Sequence, residues 1–347
     1  MSKMLEEIRE QPEALERTLR MGLRAAAKLA KEVAQKRPKL IVLAARGTSD
    51  NAAQFGRYLL EITTGIPVSL AAPSLYTLYG ANIDLKHALV VAISQSGEST
   101  DTNLVLQRGR EQGALTVGIT NEPASSLARL AEHLFFVRAG RERSVAATKT
   151  YTGQLMSLYL LAHALGGKIR IDDLKKIPDW AAKALELESE ITARAERYRF
   201  MERAVVVGRG LNYSNAFEFA LKLMETCYVV AERFSSADFL HGPIAMVERA
   251  FPMFLFTPSG VTWDGMRDMI ERLNALNAET LIITDKSNRA ACELNPRAVV
   301  IGAKLARELY TPIPYIIPAQ IFAASLASWK GLDPDRPRTL SKVTRTL

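Results

Sequence analysis

Residues 89–102, LVVAISQSGESTDT, pass from an apolar, strand-like run straight into a cluster of hydroxyl side chains. Ser94, Ser96, Ser99 and Thr100 supply O–H donors, Gln95 an amide, and Gly97 a point where backbone can approach a ligand closely. N–H groups at the start of the polar helix that follows would point at an anion, with the helix dipole behind them. Such a loop can hold a phosphate without lysine or arginine, although an ordinary strand-to-helix turn with a serine N-cap carries the same letters. A second constellation is Lys222 and Glu225 in FALKLMETCYVVAE, three residues apart and so on one helix face. Most K-x-x-E pairs are exposed ion pairs. Here Ala220, Leu221, Leu223, Met224, Tyr228 and Val229 flank the pair, which predicts a partly desolvated carboxyl tuned toward proton transfer. His241 follows in FLHGPIAM, where a histidine beside Gly-Pro is usually a turn residue. His87, His133 and His163 read as structural, two at strand starts and one within a helix.

The elements that must position these groups occur twice. LIVLAARGTSDNAAQFGRYLLE (40–61) resembles AVVVGRGLNYSNAFEFALKLME (204–225), with one extra residue in the second copy. Gly97 of SQSGESTD stands fifty positions after Gly47, and Gly260 of TPSGVTWD fifty after Gly210. TVGITN (116–121) answers TLIITD (280–285), and HLFFV (133–137) answers RAVVI (297–301). A period of about 163 residues is far too long for a solenoid and marks a duplicated domain. Each copy alternates short apolar runs with helical periodicity, which predicts an α/β fold with a parallel sheet flanked by helices.

The chain of 347 residues has room for two domains with real cores, and its 48% apolar and 24% charged composition is that of a globular protein. No apolar run approaches the ~20 residues of a membrane span. The acid-rich opening MSKMLEEIREQPEAL is unlike a signal peptide, so a cytoplasmic protein is expected. Cys227 and Cys292 lie in no CxxC and near no histidine at ligand spacing; core filler in a reducing compartment is the expected role. The net charge of +8 comes from 45 basic residues interleaved with 37 acids, without a dense basic tract, so no nucleic-acid partner is expected. The excess positive potential could attract an anionic metabolite.

Five segments follow from these patterns. Residues 1–38 form an N-terminal helical segment broken near Pro12. Residues 39–167 form the first α/β domain, ending in a helix over 148–165 that Gly166-Gly167 stops. Residues 168–200 are a charged helical connector containing Pro178, 201–330 the second α/β domain, and 331–347 a Pro- and Asp-rich tail.

Seven segments in order carry a resemblance to a known family: KMLEEIREQP (3–12), ARGTSDN (45–51), SQSGESTDT (94–102), AGRERSVAATKTYTGQL (139–155), ALKLMETCYVVAE (220–232), LHGPIAM (240–246) and DRPRTLSKV (335–343). Together they span nearly the whole chain. It resembles the sugar isomerase (SIS) domain proteins, most closely the isomerase half of glutamine–fructose-6-phosphate aminotransferases. The resemblance implies two tandem, doubly wound, Rossmann-like SIS domains. It implies that Thr48, Ser49, Ser94, Gln95, Ser96 and Ser99 hold a sugar phosphate. Glu225 would move a proton between C1 and C2 with Lys222 beside it. His241 would open the sugar ring, supplied to a neighbouring subunit, so at least a homodimer is expected. Lys342 of the tail would lie over the reacting carbon and aid carbonyl chemistry. Val145 and Ala146 match backbone contacts to the sugar, and Glu142 a nearby polar contact. The second copy departs from the cradle chemistry, with Pro258 for Gln95 and Val261 for Glu98, so one ligand site per chain is expected, with no cofactor and no metal.

Other departures concern the reaction. The chain starts where the isomerase half would start, and residue 2 is serine, so no glutaminase chemistry is expected. Ala147 stands where the family has serine after Val-Ala, and the ending SKVTRTL is closer to stand-alone deaminases of the family. These features favour glucosamine-6-phosphate plus water giving fructose-6-phosphate and ammonia. A fructosamine-6-phosphate deglycase, an ammonia-dependent synthase and a sugar-phosphate-sensing regulator are the alternatives. A regulator would have little use for Glu225, His241 and Lys342 together. A dinucleotide site is disfavoured because Tyr213 replaces the third glycine of GxGxxG, and neither a P-loop nor HExxH is present.

Overall fold

In the computed structural model, which describes residues 2–305 and 307–342, the apolar runs become two five-stranded parallel sheets. The chain opens with α1 (Lys3–Arg9) and α2 (Gln11–Lys36). Pro12 lies in the first turn of α2, where a missing N–H breaks no helical hydrogen bond. The described residues divide into two compact units, one of 10–142, 147–176 and 340–342, the other of 2–9, 143–146, 177–305 and 307–339.

The first unit contains β1 (Leu40–Ala44), α3 (Thr48–Thr64), β2 (Val68–Leu70), α4 (Ser74–Thr77), β3 (Ala88–Ile93), α5 (Thr100–Glu111), β4 (Leu115–Thr120), α6 (Ser126–Leu130), β5 (His133–Phe136), α7 (Lys149–Ala164) and α8 (Ile171–Leu174). Its sheet runs β2-β1-β3-β4-β5, with Val42 beside Val90 and Val91 beside Val117. Strands buried on both faces read as continuous apolar runs, and β3, ALVVAI, is buried at every position. One face packs Val42, Val90 and Ala92 against Val105 and Leu106 of α5. Helix α7 is buried nearly all round, packed by α2 and α3, which is why its sequence is apolar on every side. Leu165 caps it and Gly166, at φ +77°, turns the chain away.

The second unit contains α9 (Ile177–Leu185), α10 (Glu188–Glu196), β6 (Arg203–Gly208), α11 (Tyr213–Cys227), β7 (Val230–Ser235), α12 (Ser236–Leu240), β8 (Pro252–Phe256), α13 (Trp263–Ala275), β9 (Glu279–Asp285), α14 (Arg289–Leu294), β10 (Val299–Ile301) and α15 (Pro312–Trp329). Short 3₁₀ turns occupy Gly210–Asn212, Pro243–Met246 and Glu308–Tyr310. The sheet order β7-β6-β8-β9-β10 repeats that of the first unit. One face is an aromatic cluster in which Phe254 meets Tyr198, Phe219 and Phe322 with ring centroids 5.5, 5.1 and 5.0 Å away. The run at 297–301 contributes a strand only from Val299. Cys227, buried in α11, and Cys292, in α14, are both free thiols. No helix among the described residues is long and apolar enough to cross a membrane.

Candidate functional site

In the first unit the strand order reverses between β1 and β3, and open α/β sheets bind ligands beyond the strand ends at such a point. Both hydroxyl-rich loops leave the sheet here. Gly47, at φ +56°, makes the turn from β1 into Thr48 and Ser49 at the start of α3, and Ser94–Ser99 lead from β3 into α5. The Ser94 hydroxyl oxygen accepts the Gly97 N–H at 3.0 Å, that of Ser96 the Glu98 N–H at 3.3 Å, and that of Ser49 the Gln154 amide at 2.9 Å. Each oxygen therefore has an internal donor, and each hydroxyl proton remains to be given to an acceptor. Ser99 is the N-cap of α5, yet its hydroxyl pairs with Thr102 at 3.0 Å and caps no N–H. The Gln95 backbone is fixed by bonds from Asn121 and Thr120, with its side chain half-buried. A carbon added at Gly97 would fall 2.2 Å from the Ser125 hydroxyl, so this glycine is also required by the packing of the loop on the start of α6.

Two polar groups here carried little signal in the sequence. Arg46, just before Gly47, binds the buried carboxylate of Asp101 through Nε at 3.2 Å and Nη2 at 2.7 Å while keeping about half its side chain exposed. The hydroxyl-rich loops thus have a half-exposed cation beside them, which attention to hydroxyl residues alone passes over. Asn103 donates to the Gly97 carbonyl at 3.1 Å and braces the loop from within α5.

Glu142 is fully buried and engages all its acceptor positions. Oε1 accepts the N–H groups of Thr148 and Thr150 at 2.9 and 3.1 Å; Oε2 accepts the Thr150 hydroxyl at 2.6 Å and the Lys342 ammonium at 3.1 Å. Burial alone would push this carboxyl up; Lys342 and the hydrogen bonds from Thr150 and Thr148 outweigh it and hold the group below its ordinary value. The tail lysine is therefore tied to the loop that leads into α7. Residues 343–347 of the expected tail lie outside the described residues.

In the second unit, Lys222 is buried on α11 with Nζ 2.5 Å from Glu225 Oε2 and 3.4 Å from Glu218 Oε1. Glu218, Lys222 and Glu225 stand at i, i+4 and i+7, which stacks them on one helix face. Glu218 is wholly buried, whereas Glu225 keeps 23% of its side chain exposed. The same-face prediction for Lys222 and Glu225 corresponds to a direct contact. The expected apolar collar is only partial: Ala220, Leu223 and Val229 are buried, but Met224 and Tyr228 are exposed. Glu218 was the group the sequence reading missed, and E-x-x-x-K-x-x-E on an apolar helix was the available signal. Tyr228, the left-handed C-cap of α11, receives the Arg338 N–H at 2.8 Å beneath the Arg338 guanidinium, and Asp335 accepts the N–H groups of Lys3 and Met4 at the start of α1. His241 caps the end of α12 on an exposed turn that continues through the 3₁₀ segment Pro243–Met246. In the loop before α7, Ala146 is buried and Val145 half-buried, with Glu7 of α1 accepting the N–H groups of Arg143 and Ser144. No group of histidine, cysteine and acidic side chains arranged to hold a metal occurs among the described residues.

A family profile described as the SIS domain matches residues 32–164 and 199–327. The chain is 34% identical over 346 residues to a glutamine–fructose-6-phosphate aminotransferase [isomerizing] of Pyrococcus horikoshii, covering 98% of this chain and 57% of that protein. It thus spans little more than half the length of this curated relative. Among solved structures, the C-terminal domain of glucosamine-fructose-6-phosphate aminotransferase from Francisella tularensis superposes with a TM-score of 0.87 at 31% identity, covering 97% of this chain and 98% of that one. A glucosamine-6-phosphate deaminase from Thermotoga maritima superposes with a TM-score of 0.80 over 99% of this chain and 100% of that one, and at 20% identity this likeness speaks for the fold.

Proposed function

The chain belongs to the SIS domain family, and from that premise we propose that it is an amino-sugar-phosphate aldose–ketose isomerase that releases the amine: glucosamine-6-phosphate and water become fructose-6-phosphate and ammonia. Thr48, Ser49, Ser94, Gln95, Ser96 and Ser99 hold the phosphate, Gln95 through its amide and Ser49, Ser94 and Ser96 by donating hydroxyl protons whose oxygens are already engaged. His241, given by a second copy in a homodimer, promotes ring opening. Glu225 takes the C2 proton of the open aldehyde, leaving an enolamine, and returns a proton to C1. The resulting ketimine at C2 is hydrolysed by water to ketose and ammonia. Lys342, positioned by Glu142, polarises the reacting carbonyl, while Val145 and Ala146 line the sugar with backbone groups.

The observation that carries the reading is the Glu218–Lys222–Glu225 stack, with its two inner members buried and its outermost carboxylate open to solvent. A buried ammonium that orients one carboxylate oxygen leaves the other to accept and return a proton. Ala147, in place of the family's serine, supports the deaminating direction. The test measures ammonia release from glucosamine-6-phosphate beside amino-acid release from a fructosamine 6-phosphate. Ammonia with fructose-6-phosphate supports the proposal; amino-acid release alone replaces it with a deglycase. Binding without turnover of either compound refutes the enzymatic reading.

A further inference from the structure

The second sheet has its own reversal point, between β6 and β8, and the chain fills it with a side chain of its own. Gly210, at φ +57°, has the same positive φ as Gly47 at +56°, and the loop from β8 into α13 holds the same place in the sheet order as the loop from β3 into α5, although Gly260 stands at φ +146° where Gly97 stands at +67°. Between them sits the carboxylate of Glu308, on the 3₁₀ turn that precedes α15. Its Oε2 accepts the Thr262 N–H at 3.2 Å at the N-terminus of the 13-residue helix α13. A carbon added at Gly260 would fall 2.6 Å from Oε2, and one at Gly210 would lie 3.5 Å from Oε1. The carboxylate therefore occupies the space between the two turns, and at Gly260 only glycine lets it approach. Counting back the repeat of about 163 residues from Glu308 lands on Val145, in the corresponding loop before α7. Glu308 is nine-tenths buried. Burial pushes its carboxyl up, and the opposing interactions are hydrogen bonds from Thr262 and Val261. These are the donors a helix N-terminus offers an oxyanion.

We propose that the second unit retains an oxyanion cradle whose permanent occupant is Glu308, which closes it to phosphate esters and leaves one phosphate site per chain. Exchange of Gln95 and Glu98 for Pro258 and Val261 is then only part of the loss. A backbone donor at the start of α13 persists in the Thr262 N–H, and a carboxylate tethered within the same unit outcompetes a free anion because it gives up no translational freedom on binding. The ligand class it excludes, and would accept once vacated, is a tetrahedral oxyanion such as inorganic phosphate.

Glu308→Ala tests this in the full chain with inorganic phosphate as the probe. Equilibrium dialysis should give one more phosphate per chain than wild type, and the melting temperature of the variant should rise with phosphate more than that of wild type. Equal stoichiometry and equal phosphate response would overturn the proposal. If Glu308→Ala refolds only when phosphate is added, the proposal is supported; if saturating phosphate fails to recover folding, it is refuted. Gly260→Ala gives an independent readout: its cost should be larger in wild type than in Glu308→Ala, because only wild type holds an oxygen against the new methyl. Equal cost in both backgrounds contradicts the placement of the carboxylate. The inference borrows from the proposed function only the likeness of the two loops. Loss of phosphate binding by Ser96→Ala concerns the first cradle, and the extra phosphate of Glu308→Ala concerns the second, so the two can fail separately.

Discussion

Replacing Lys342 with glutamine leaves Glu142 buried with hydrogen bonds but no counter-charge. At the 3.1 Å separation the Coulomb attraction is about 5 kcal/mol for an effective dielectric of ~20, which is a ceiling. Removing one partner of a buried pair costs ~3–5 kcal/mol because the other charge is stranded. Lys342 keeps about a quarter of its side chain exposed, and releasing the tail returns ~1–2 kcal/mol of backbone entropy per residue freed. The net expectation is a loss of ~1–3 kcal/mol near neutral pH. The pH dependence supplies the sign. Glu142 sits below its ordinary value when folded, so its contribution is present above the unfolded carboxylate range and is lost as pH falls through the folded value. Without Lys342 the uncompensated burial raises the folded value, and acid unfolding should begin at higher pH. Urea titrations at neutral pH and through the acid range measure both effects. Midpoints that coincide with wild type at every pH would refute the idea that the tail lysine neutralises Glu142.

Glu225→Gln should lower kcat by ~10²–10⁴ while the sugar phosphate still binds, which isothermal titration with the variant can check. Ser96→Ala should raise KM by about tenfold, the cost of one hydrogen bond to a charged group, and leave kcat nearly unchanged in steady-state kinetics. Arg46→Ala should weaken phosphate binding further at low than at high ionic strength, because its guanidinium is half exposed and screened; salt-independent binding would exclude an electrostatic role. Glu308 has a raised folded value, so its share of stability is fullest at acid pH and falls as pH rises through that value; Glu308→Gln should flatten the slope in this window in denaturant titrations.

The duplication, the parallel sheets and the hydroxyl-rich loop between β3 and α5 were legible in the sequence because each is carried by short local patterns. Strands such as LIVLA and ALVVAI are apolar throughout because both faces are covered, and Gly47 and Gly210 mark turns that demand positive φ. The contact of Lys222 with Glu225 follows from helical spacing alone. Partnerships between distant segments were not legible: Glu142 with Lys342, Arg46 with Asp101, Asp335 with the start of α1, and Glu308 with the Gly260 loop. Local spacing around those residues says nothing about which distant group each will meet once folding removes water from around them. Local spacing determined which helix and which loop could carry chemistry. Tertiary packing decided which carboxylates would be buried and what would neutralise them, because burial depends on what the rest of the chain brings alongside.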